Sequence, residues 1–576
     1  MTADAVTTEL IRSKVNSLSE EMLYLLYRSA YSTLMRENRD CSFLATTPSG
    51  DLLTEGPHYY RFAIHNLLSR MEPRDGDIFI TNHPYESGVQ HTPDLLVMVP
   101  VFHAGVHIGF SCATAHKSDV GGAVVGSASS QSTELFQEGL LLPIIRFGHF
   151  TEDDFELDEN VIRIISTNVR NPDLFLGDMR AQIGVTRVGR ERLEELAAHY
   201  GAEALLEAFE EILNAGERMM RHHLAGWPDG SVTVEGFVDD DGIHRDRPVR
   251  FEFVVTKEKD SITFDASGSD DQTRGPVNMQ QGYMENAVFG GLLSVTDPSA
   301  SYNDGMRRPV RVITRLGSVF QPHFPAPVGA ATIVSHRVWD MVLEALGHFV
   351  PAEAVANGGG SGGTLALLWE GEAQSVTSRA MQYEILGTGL GASASGDGCD
   401  GTSASGQNMP LTPIEILETQ FPVRIRRFEL IEDSGGPGEF RGGMSYRREY
   451  ECLAPATLNR RADRGKFSAR GINGGLPGSL GRLILNAGAP DERELAPAGT
   501  YHLERGETFT VIGSGAGGYG HPTARDPEAV RRDVVLGDVS RAAAEEYYGV
   551  VVDRGGEVDH EATARRRGVA SEDAKR

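Results

Sequence analysis

The chain alternates between blocks of helical periodicity and blocks of short β-prone runs, and this alternation restricts the fold more than any other feature. Apolar residues recur at three- and four-residue steps from Ile11 to Leu26, which predicts a long amphipathic helix. Short apolar runs follow at 77–81, 95–102 and 106–114, separated by Pro, Gly and His, and these predict strands. Such a combination is typical of the α+β class.

The later blocks repeat the alternation. Helical stripes return between 157 and 224, strands are predicted from 231 to 265, and another helix from Arg337 to Phe349. The 576 residues also exceed the roughly 250–300 at which a single hydrophobic core stops growing. We therefore predict several units, namely an N-terminal helix with a strand-rich region at 1–150, a helical region at 151–230, a mixed β-rich region at 231–350, a glycine-rich β-containing region at 351–553 and a polar, partly disordered tail at 554–576.

Two local patterns add detail to this outline. Ser17 with Glu20 three residues later resembles a capping box, which predicts that a second helical segment starts there. Gly and Ser dominate 357–363 and 387–406, which predicts exposed loops or close approach of backbone segments rather than packed elements.

Charge and cysteine usage exclude several classes of protein. A formal net charge of −27 argues against a nucleic-acid-binding surface, which needs a basic face. The four cysteines show no CxxC spacing, so neither a disulfide framework nor a zinc ribbon is indicated. The first residues lack an apolar core, and no run approaches the roughly 18 uncharged apolar residues of a membrane span. We predict a cytoplasmic protein without a membrane or nucleic-acid partner.

The stretch from Thr81 to Gly122 carries the chemistry. If 94–102 and 106–116 pair as a β-hairpin, Asp94 lies across from about Ala115, with His116 beside it at the open end. His91 occupies the loop that leads into the same end. Two imidazoles and one carboxylate therefore converge from segments that are distant in sequence.

Imidazole nitrogen with carboxylate oxygen is a metal-site composition that suits Zn²⁺, Mn²⁺ or Fe²⁺. A metal there would lower the pKa of a bound water towards about 7 and make hydroxide available. Asp119 could be a further ligand or could fix an imidazole tautomer. The alternative reading is that these histidines are satisfied polar residues at strand ends, as we expect for His103 and His107 near the turn.

The glycine-rich strings do not predict nucleotide binding by this chain. The runs 387–391 and 513–520 lack the lysine of a GxxxxGK[ST] loop and a βαβ context. The sequence contains no GxSxG elbow, and no cysteine can be assigned as a nucleophile.

At these residues the chain resembles the hydantoinase B / 5-oxoprolinase B family, which includes metal subunits of N-methylhydantoinases, lactam-opening amidohydrolases and acetone or acetophenone carboxylases. The resemblance runs through ordered blocks along nearly the whole chain. These blocks are Asp40, Asn82–Tyr85, His91–Asp94, His116–Gly122, Gly126-Ser127, Glu134–Gly139, Phe264-Asp265, Ser267-Gly268, Gly275–Asn278, Asn303–Pro309, Asn408, Pro413–Glu418, Ser434–Gly438, Arg441–Gly443, Gly517–Pro522, Arg525 and Tyr547–Val550.

The resemblance implies a division of labour between two subunits. An ATPase partner of the hydantoinase A / oxoprolinase type phosphorylates the amide or carbonyl oxygen, and the metal-binding partner acts on the activated intermediate. By position, the implied metal ligands are His91, Asp94 and His116, with Asp40 as a fourth; zinc or manganese is expected. Asp119 is expected to support the site. The expected function is opening of a phosphorylated hydantoin, lactam or 5-oxoproline by metal-bound hydroxide, in a hetero-oligomer that uses ATP through its partner.

Several positions near the expected site depart from the family pattern, and they leave the substrate open. They are His83, Ser87, Gln90, Lys117 and Val125. Lys117 is either an electrostatic contact to the phosphorylated intermediate or a solvated loop lysine. Two other functions remain open: the metal subunit of an ATP-dependent ketone carboxylase, and a non-catalytic scaffold for the ATPase.

Overall fold

The computed structural model describes residues 4–573 except 55, 58, 297–301, 370–380 and 403–408. Its helices are α1 Ala5–Ser29, α2 Thr33–Arg36, α3 Tyr59–Arg70, α4 Pro84–Ser87, α5 Glu159–Asn168, α6 Pro172–Tyr200, α7 Ala202–Ala225, α8 Gln281–Leu293, α9 Ala331–Phe349, α10 Ile414–Gln420, α11 Pro527–Leu536, α12 Arg541–Glu546 and α13 His560–Asp573.

The strands are β1 Cys41–Thr46, β2 Asp77–Thr81, β3 Asp94–His103, β4 Val106–His116, β5 Ile145–Phe150, β6 Phe155–Leu157, β7 Gly230–Val238, β8 Val249–Glu258, β9 Ser261–Asp265, β10 Val310–Ile313, β11 Thr364–Trp369, β12 Met381–Ile385, β13 Val423–Leu430, β14 Tyr446–Cys452, β15 Ala456–Arg461, β16 Arg482–Leu485, β17 Arg493–Leu495, β18 Gly499–Leu503 and β19 Thr508–Ile512. They form sheets of order β1-β4-β3-β2-β5-β6, β10-β9-β8-β7, β12-β11-β15-β18 and β13-β14-β19-β16-β17. Helices and sheets in separate blocks confirm the α+β prediction.

Helices cover both faces of the N-terminal sheet: α3 packs on one face, and α1, α5, α6 and α7 pack on the other. The predicted stripe on α1 is buried, including Ile11 and Leu26, and it shares a core with α6, α7 and the strands β1 and β4. The helical region 151–230 therefore packs directly on the strand-rich region before it. The predicted capping box is wrong: α1 runs unbroken through Ser17, its N-cap is Asp4, and Ser32 caps the separate short helix α2.

The β3–β4 hairpin forms where it is predicted, but its register at the open end differs by one residue. Asp94 pairs with His116 rather than with Ala115. The register shifts between Val101 and Phe102, opposite a segment in which Gly109 has φ +152°. This β-bulge adds one residue to β4 and brings His116 directly opposite Asp94.

The middle of the chain builds a second core. Strands β7, β8 and β9 carry alternating buried residues, and α8 and α9 pack against them in one apolar cluster. Helix α9 begins at Ala331, six residues before the predicted start. His336 and Arg337, in the first two turns of this helix, are both buried.

The two C-terminal sheets face each other, and one of them also faces the N-terminal sheet. Leu365 and Leu458 point into the core shared with β14 and β19. On the opposite face, Ala366 and Tyr383 pack against Leu34 of α2 and Val125. This second contact places β11, β12 and β15 against the loop that follows β4.

Glycine-rich segments allow backbone segments to meet closely, as predicted. A Cβ on Gly362 would lie 2.1 Å from the carbonyl oxygen of Gly387, and one on Gly389 would lie 2.0 Å from that of Gly443. The described glycines of 357–363 are buried rather than exposed. Residues 403–408, including Asn408, lie outside the described residues.

The C-terminal segment forms a helix within its described residues, and partial disorder of the tail stays a prediction. Its helix α13 is attached to the preceding region: Thr563 accepts a hydrogen bond from the Val551 N–H (3.0 Å), and Arg567 donates to the carbonyls of Tyr548 and Arg525. No helix within the described ranges is both long and apolar enough to cross a membrane. The division of the chain into the five predicted units stays a prediction.

Candidate metal centre

Three side chains meet at the open end of the β3–β4 hairpin. One potential ligand atom from each of His91, Asp94 and His116 lies within 4.8 Å of the other two. The His91 Nε2 is 3.5 Å from Asp94 Oδ2, and the two imidazole rings are 4.9 Å apart at an interplanar angle of 75°. All three residues are at least 96% buried. The three side chains therefore converge as the hairpin pairing predicts, and their role as metal ligands stays a prediction.

The loop before β3 is fixed by its own hydrogen bonds. The Asp94 N–H donates to the His91 carbonyl (3.2 Å), which turns the His91 side chain towards the strand end. Buried Asn82 donates to the carbonyls of Thr92 (2.7 Å) and Leu140 (2.8 Å). The Thr92 hydroxyl donates to the carbonyl of Glu138. The loop is held on two sides, so the cluster is positioned before any ligand arrives.

The electrostatics favour the forms of Asp94 and His116 that bind cations. Burial alone would raise the pKa of Asp94, but His91 and His116 outweigh it and the pKa is lowered. Burial, with a smaller effect of His91, lowers the pKa of His116 to about 3. Metal ligation needs neutral imidazole and ionised carboxylate, and the fold favours these forms at His116 and Asp94.

The ring nitrogens provide the strongest indication of a ligand. Neither nitrogen of His116, nor Nδ1 of His91, has a hydrogen-bond partner within the described part of the chain. Buried polar atoms are nearly always paired, because an unpaired one costs about 1–3 kcal/mol. A cation held by His91, Asp94 and His116 would satisfy one nitrogen of each ring, so the residues present fit a metal.

Asp40 lies next to this cluster. It immediately precedes β1, and its carbonyl accepts the His116 N–H at 3.1 Å. Burial and the Asp94 carboxylate raise the pKa of Asp40 to about 8. A cation between the two carboxylates would relieve their repulsion. Asp40 does not belong to the compact three-residue group, and its ligation stays a prediction.

The structure directs Asp119 away from the cluster. Its carboxylate accepts from the backbone N–H groups of Gly121 (2.8 Å), Gly126 (3.0 Å) and Arg170 (3.2 Å), and forms an ion pair with the Arg170 side chain (2.9 Å). Both oxygens are thus engaged in shaping the 119–127 loop. Asp119 supports the loop rather than an imidazole.

The solvated reading of Lys117 is wrong, because the residue is 99% buried. Its amine donates to the Gln182 side chain and lies 5.7 Å from the Phe175 ring centroid, on the α6 side of the sheet. Residues next to each other on a strand point to opposite faces, so Lys117 points away from the face that His116 occupies. Burial lowers the pKa of Lys117 to about 8.

The far wall of the site comes from residues that the sequence reading did not single out. The Tyr383 ring lies 5.0 Å from the His116 ring, between centroids. Tyr283 on α8 and Arg461 at the end of β15 are close enough to Asp94 for their charges to interact. The one available signal was the run Arg460-Arg461-Ala462-Asp463-Arg464, which places several charges at the end of a strand.

Known proteins resemble the chain along its full length. The B-type chain of a putative D-/L-hydantoinase from Pseudomonas sp. (strain NS671) is 31% identical over 587 residues, which cover 97% of this chain and 97% of that protein. The crystal structure of an ATP-dependent caprolactamase from Pseudomonas jessenii has a TM-score of 0.87 at 26% identity, covering 99% of this chain and 100% of that chain. A nucleotide-free acetone carboxylase structure has a TM-score of 0.88 at 20% identity, covering 99% and 83%, which shows a shared fold.

The family assignment rests on the sequence pattern described as hydantoinase B/oxoprolinase, which matches residues 4–522. This range includes every residue of the cluster and its far wall. Together with the 31% identity over nearly the whole chain, it shows that the chain belongs to the hydantoinase B/oxoprolinase family.

Proposed function

We propose that the chain is the metal-binding subunit of an ATP-dependent amidohydrolase that opens a phosphorylated cyclic amide. The observation that carries the proposal is the buried group of His91, Asp94 and His116, in which both ring nitrogens of His116 and Nδ1 of His91 lack hydrogen-bond partners among the described residues. The pattern of the family and the kinship with a putative hydantoinase and a caprolactamase support a hydantoin, a lactam or 5-oxoproline as the substrate.

A partner ATPase supplies the activation. Phosphorylation of the amide oxygen removes amide resonance and leaves an electrophilic carbon. Over the whole reaction one ATP and two water molecules are consumed: one water enters the opened amide, and the other enters the inorganic phosphate. The chain belongs to a hetero-oligomer in this proposal, because its own glycine-rich loops lack a phosphate-binding lysine.

The chain's own residues position the reaction. His91, Asp94 and His116 would hold the cation, with Asp40 as the fourth ligand. Zinc or manganese bound there would supply Lewis acidity and would lower the pKa of water towards about 7. Tyr383 closes the face opposite the hairpin, and the burial of all three ligands excludes bulk water. The four cysteines are free thiols, which suits a reducing cytoplasm.

The test is elemental analysis of the purified chain, as wild type, His116→Ala and His103→Ala. His103 ends the same hairpin at its turn, so it is the matched control. We expect about one equivalent of zinc or manganese in the wild type and in His103→Ala, and a loss of nearly all of it in His116→Ala. Wild-type protein that stays metal-free after supplementation would favour a scaffold for the ATPase.

The reaction itself is tested with the chain reconstituted with its ATPase partner. Release of a ring-opened acid from a cyclic amide, coupled to phosphate release and independent of bicarbonate, is the expected result. ATP hydrolysis that depends on bicarbonate and a ketone would instead support a carboxylase, the alternative that the shared fold with acetone carboxylase leaves open. Full turnover by His116→Ala would contradict both readings.

A further inference from the structure

One buried arginine differs from all the others. Seven arginines are at least 95% buried in the described structure. Five of them have a carboxylate within ion-pair distance, and Arg460 donates to the Gly362 carbonyl at 3.0 Å. Arg461 has neither: its Nη1 is buried without a hydrogen-bond partner, and no carboxylate of the described residues lies within 4.0 Å.

Strand geometry places Arg461 on the face that covers the metal centre. Ala366 of the central strand β11 pairs with Tyr383 of β12 on one side and with Asn459 of β15 on the other. Arg461 lies two residues after Asn459 on β15. Positions two apart share a face of a sheet, so Arg461 is on the same side as Tyr383. The Cα atoms of Arg461 and Tyr383 are roughly 12 Å apart by strand spacing, a gap that two long side chains can bridge.

Other buried groups converge on the same space. The Tyr383 hydroxyl lies near Thr364 without a well-aligned hydrogen bond. Burial lowers the pKa of Arg461, and the charges of Glu138 and Asp94 act in the opposite direction. The Arg461 charge in turn contributes to the lowered pKa of His116. The guanidinium therefore lies close enough to the cluster for its charge to act there.

A buried guanidinium without an anion is costly, because desolvation of a charge is repaid only by pairing and hydrogen bonding. We propose that Arg461 binds an oxyanion of the substrate beside the metal centre, specifically the phosphoryl group of the activated amide, with the Tyr383 hydroxyl as a second donor. The planar fork of a guanidinium matches the oxygens of a phosphoryl group. The inference rests on the proposed function, which supplies a phosphorylated substrate.

Bound there, the phosphoryl group would be held between Arg461 and the cation side of the site. Arg461 would neutralise part of its charge and fix the reacting carbon near His116. No bond to the protein forms in this role. Arg461 acts as a binding and orienting residue, and hydrolysis proceeds as in the proposed function.

The experiment measures binding of inorganic phosphate to the full-length, metal-loaded chain by calorimetry, beside acetate as a carboxylate probe. The variants are Arg461→Gln and Arg461→Lys, with Arg460→Gln as the control. Arg460 is the neighbour on the same strand, equally buried but on the opposite face. Metal content and thermal unfolding of each variant are recorded in parallel.

We expect Arg461→Gln to bind phosphate roughly 10- to 100-fold more weakly, the loss of a charge-assisted hydrogen-bond pair, and to keep its metal. Arg461→Lys should lose about 10-fold, because a point charge replaces the fork. Arg460→Gln should bind within about twofold of wild type. If Arg461→Gln does not fold, the Arg461→Lys comparison decides.

Two results would overturn the inference: phosphate binding by Arg461→Gln or Arg461→Lys equal to wild type, or no phosphate binding by wild type. Arg461-dependent binding of acetate but not phosphate would assign the subsite to a substrate carboxylate and overturn the phosphoryl assignment. A chain that binds phosphate through Arg461 but holds no metal would refute the proposed function alone. The two failures are therefore distinguishable.

Discussion

The molecule buries two groups of charged side chains, and they differ in how completely their polar atoms are paired. Between α9 and the segment after β15, Asp340 contacts Arg464 (2.6 Å) and Arg337 (3.5 Å), and Arg337 contacts Asp463 (2.6 Å). The Gly358 N–H adds a hydrogen bond to Asp340. At the metal centre, by contrast, His116 has both ring nitrogens unpaired and Arg461 has no described anionic partner.

The contrast separates structural from functional burial of charge. A paired network such as that of Asp340 repays its desolvation inside the protein, so its role is to join two segments. Unpaired groups at comparable burial have no such compensation, and a ligand is the simplest source of it. The two regions are adjacent in the chain, because Arg461 of the metal centre and Asp463 of the Asp340 network are two residues apart at the end of β15. Three substitutions test how sharp this division is.

The largest effect is expected for Asp340→Asn, which leaves Arg337 and Arg464 with reduced compensation. Breaking one partner of a buried ion pair costs about 3–5 kcal/mol. We expect a loss of that size in the free energy of unfolding, measured by urea titration, with unchanged metal content. Glu344→Gln is the control on the same helix: its pair with half-exposed Arg470 should contribute no more than about 1 kcal/mol. Equal stabilities for the two variants would mean that the buried Asp340 network stabilises the fold no more than a half-exposed pair does. The distinction between the paired and unpaired regions would then fail.

Glu138 is intermediate between the paired Asp340 network and the unpaired groups of the metal centre, and its contribution to stability depends on pH. It is fully buried, and its carboxylate accepts from neutral donors, the Ser132 hydroxyl and the N–H groups of Val328 and Gly329. Burial raises its pKa to about 7, against the lowering effects of those hydrogen bonds and of Arg461. The folded protein therefore binds this proton more tightly than the unfolded chain does. Its contribution to stability is fully present below about pH 4.5 and is lost as pH rises towards about 7.

The measurement is the free energy of unfolding of wild type, Glu138→Gln and Glu134→Gln at pH 5 and pH 8. We expect the decrease between the two pH values to be smaller in Glu138→Gln by up to about 3 kcal/mol, since one pKa unit corresponds to about 1.4 kcal/mol. Glu134 is exposed on the same loop, so Glu134→Gln should behave like wild type. An unchanged pH dependence in Glu138→Gln would mean that the carboxylate is ionised and compensated, as in the paired region.

The sequence predicted the elements better than the details of their pairing. Hairpin strands, the α1 stripe and the convergence of His91, Asp94 and His116 follow from local periodicity and from a short loop, which sequence can express. The one-residue register error came from a β-bulge opposite Val101, and periodicity carries no signal for an extra residue. Arg461 could not be placed, because its relation to His116 depends on how a sheet more than 300 residues later packs on the hairpin.

Lys117 shows the same limit and provides the smallest predicted effect. Its position next to His116 suggested either solvent or the reacting phosphoryl group, but strand alternation directs it to Gln182 instead. In Lys117→Met, losing one hydrogen bond destabilises the protein, while removing a buried amine stabilises it. We therefore expect the free energy of unfolding to change by no more than about 1 kcal/mol. Metal content and ring opening with the ATPase partner should stay within about twofold of wild type. A tenfold loss of turnover with metal retained would mean that Lys117 reaches the substrate after a rearrangement. Burial of a side chain next to a hydrogen-bond partner would then not exclude a functional role.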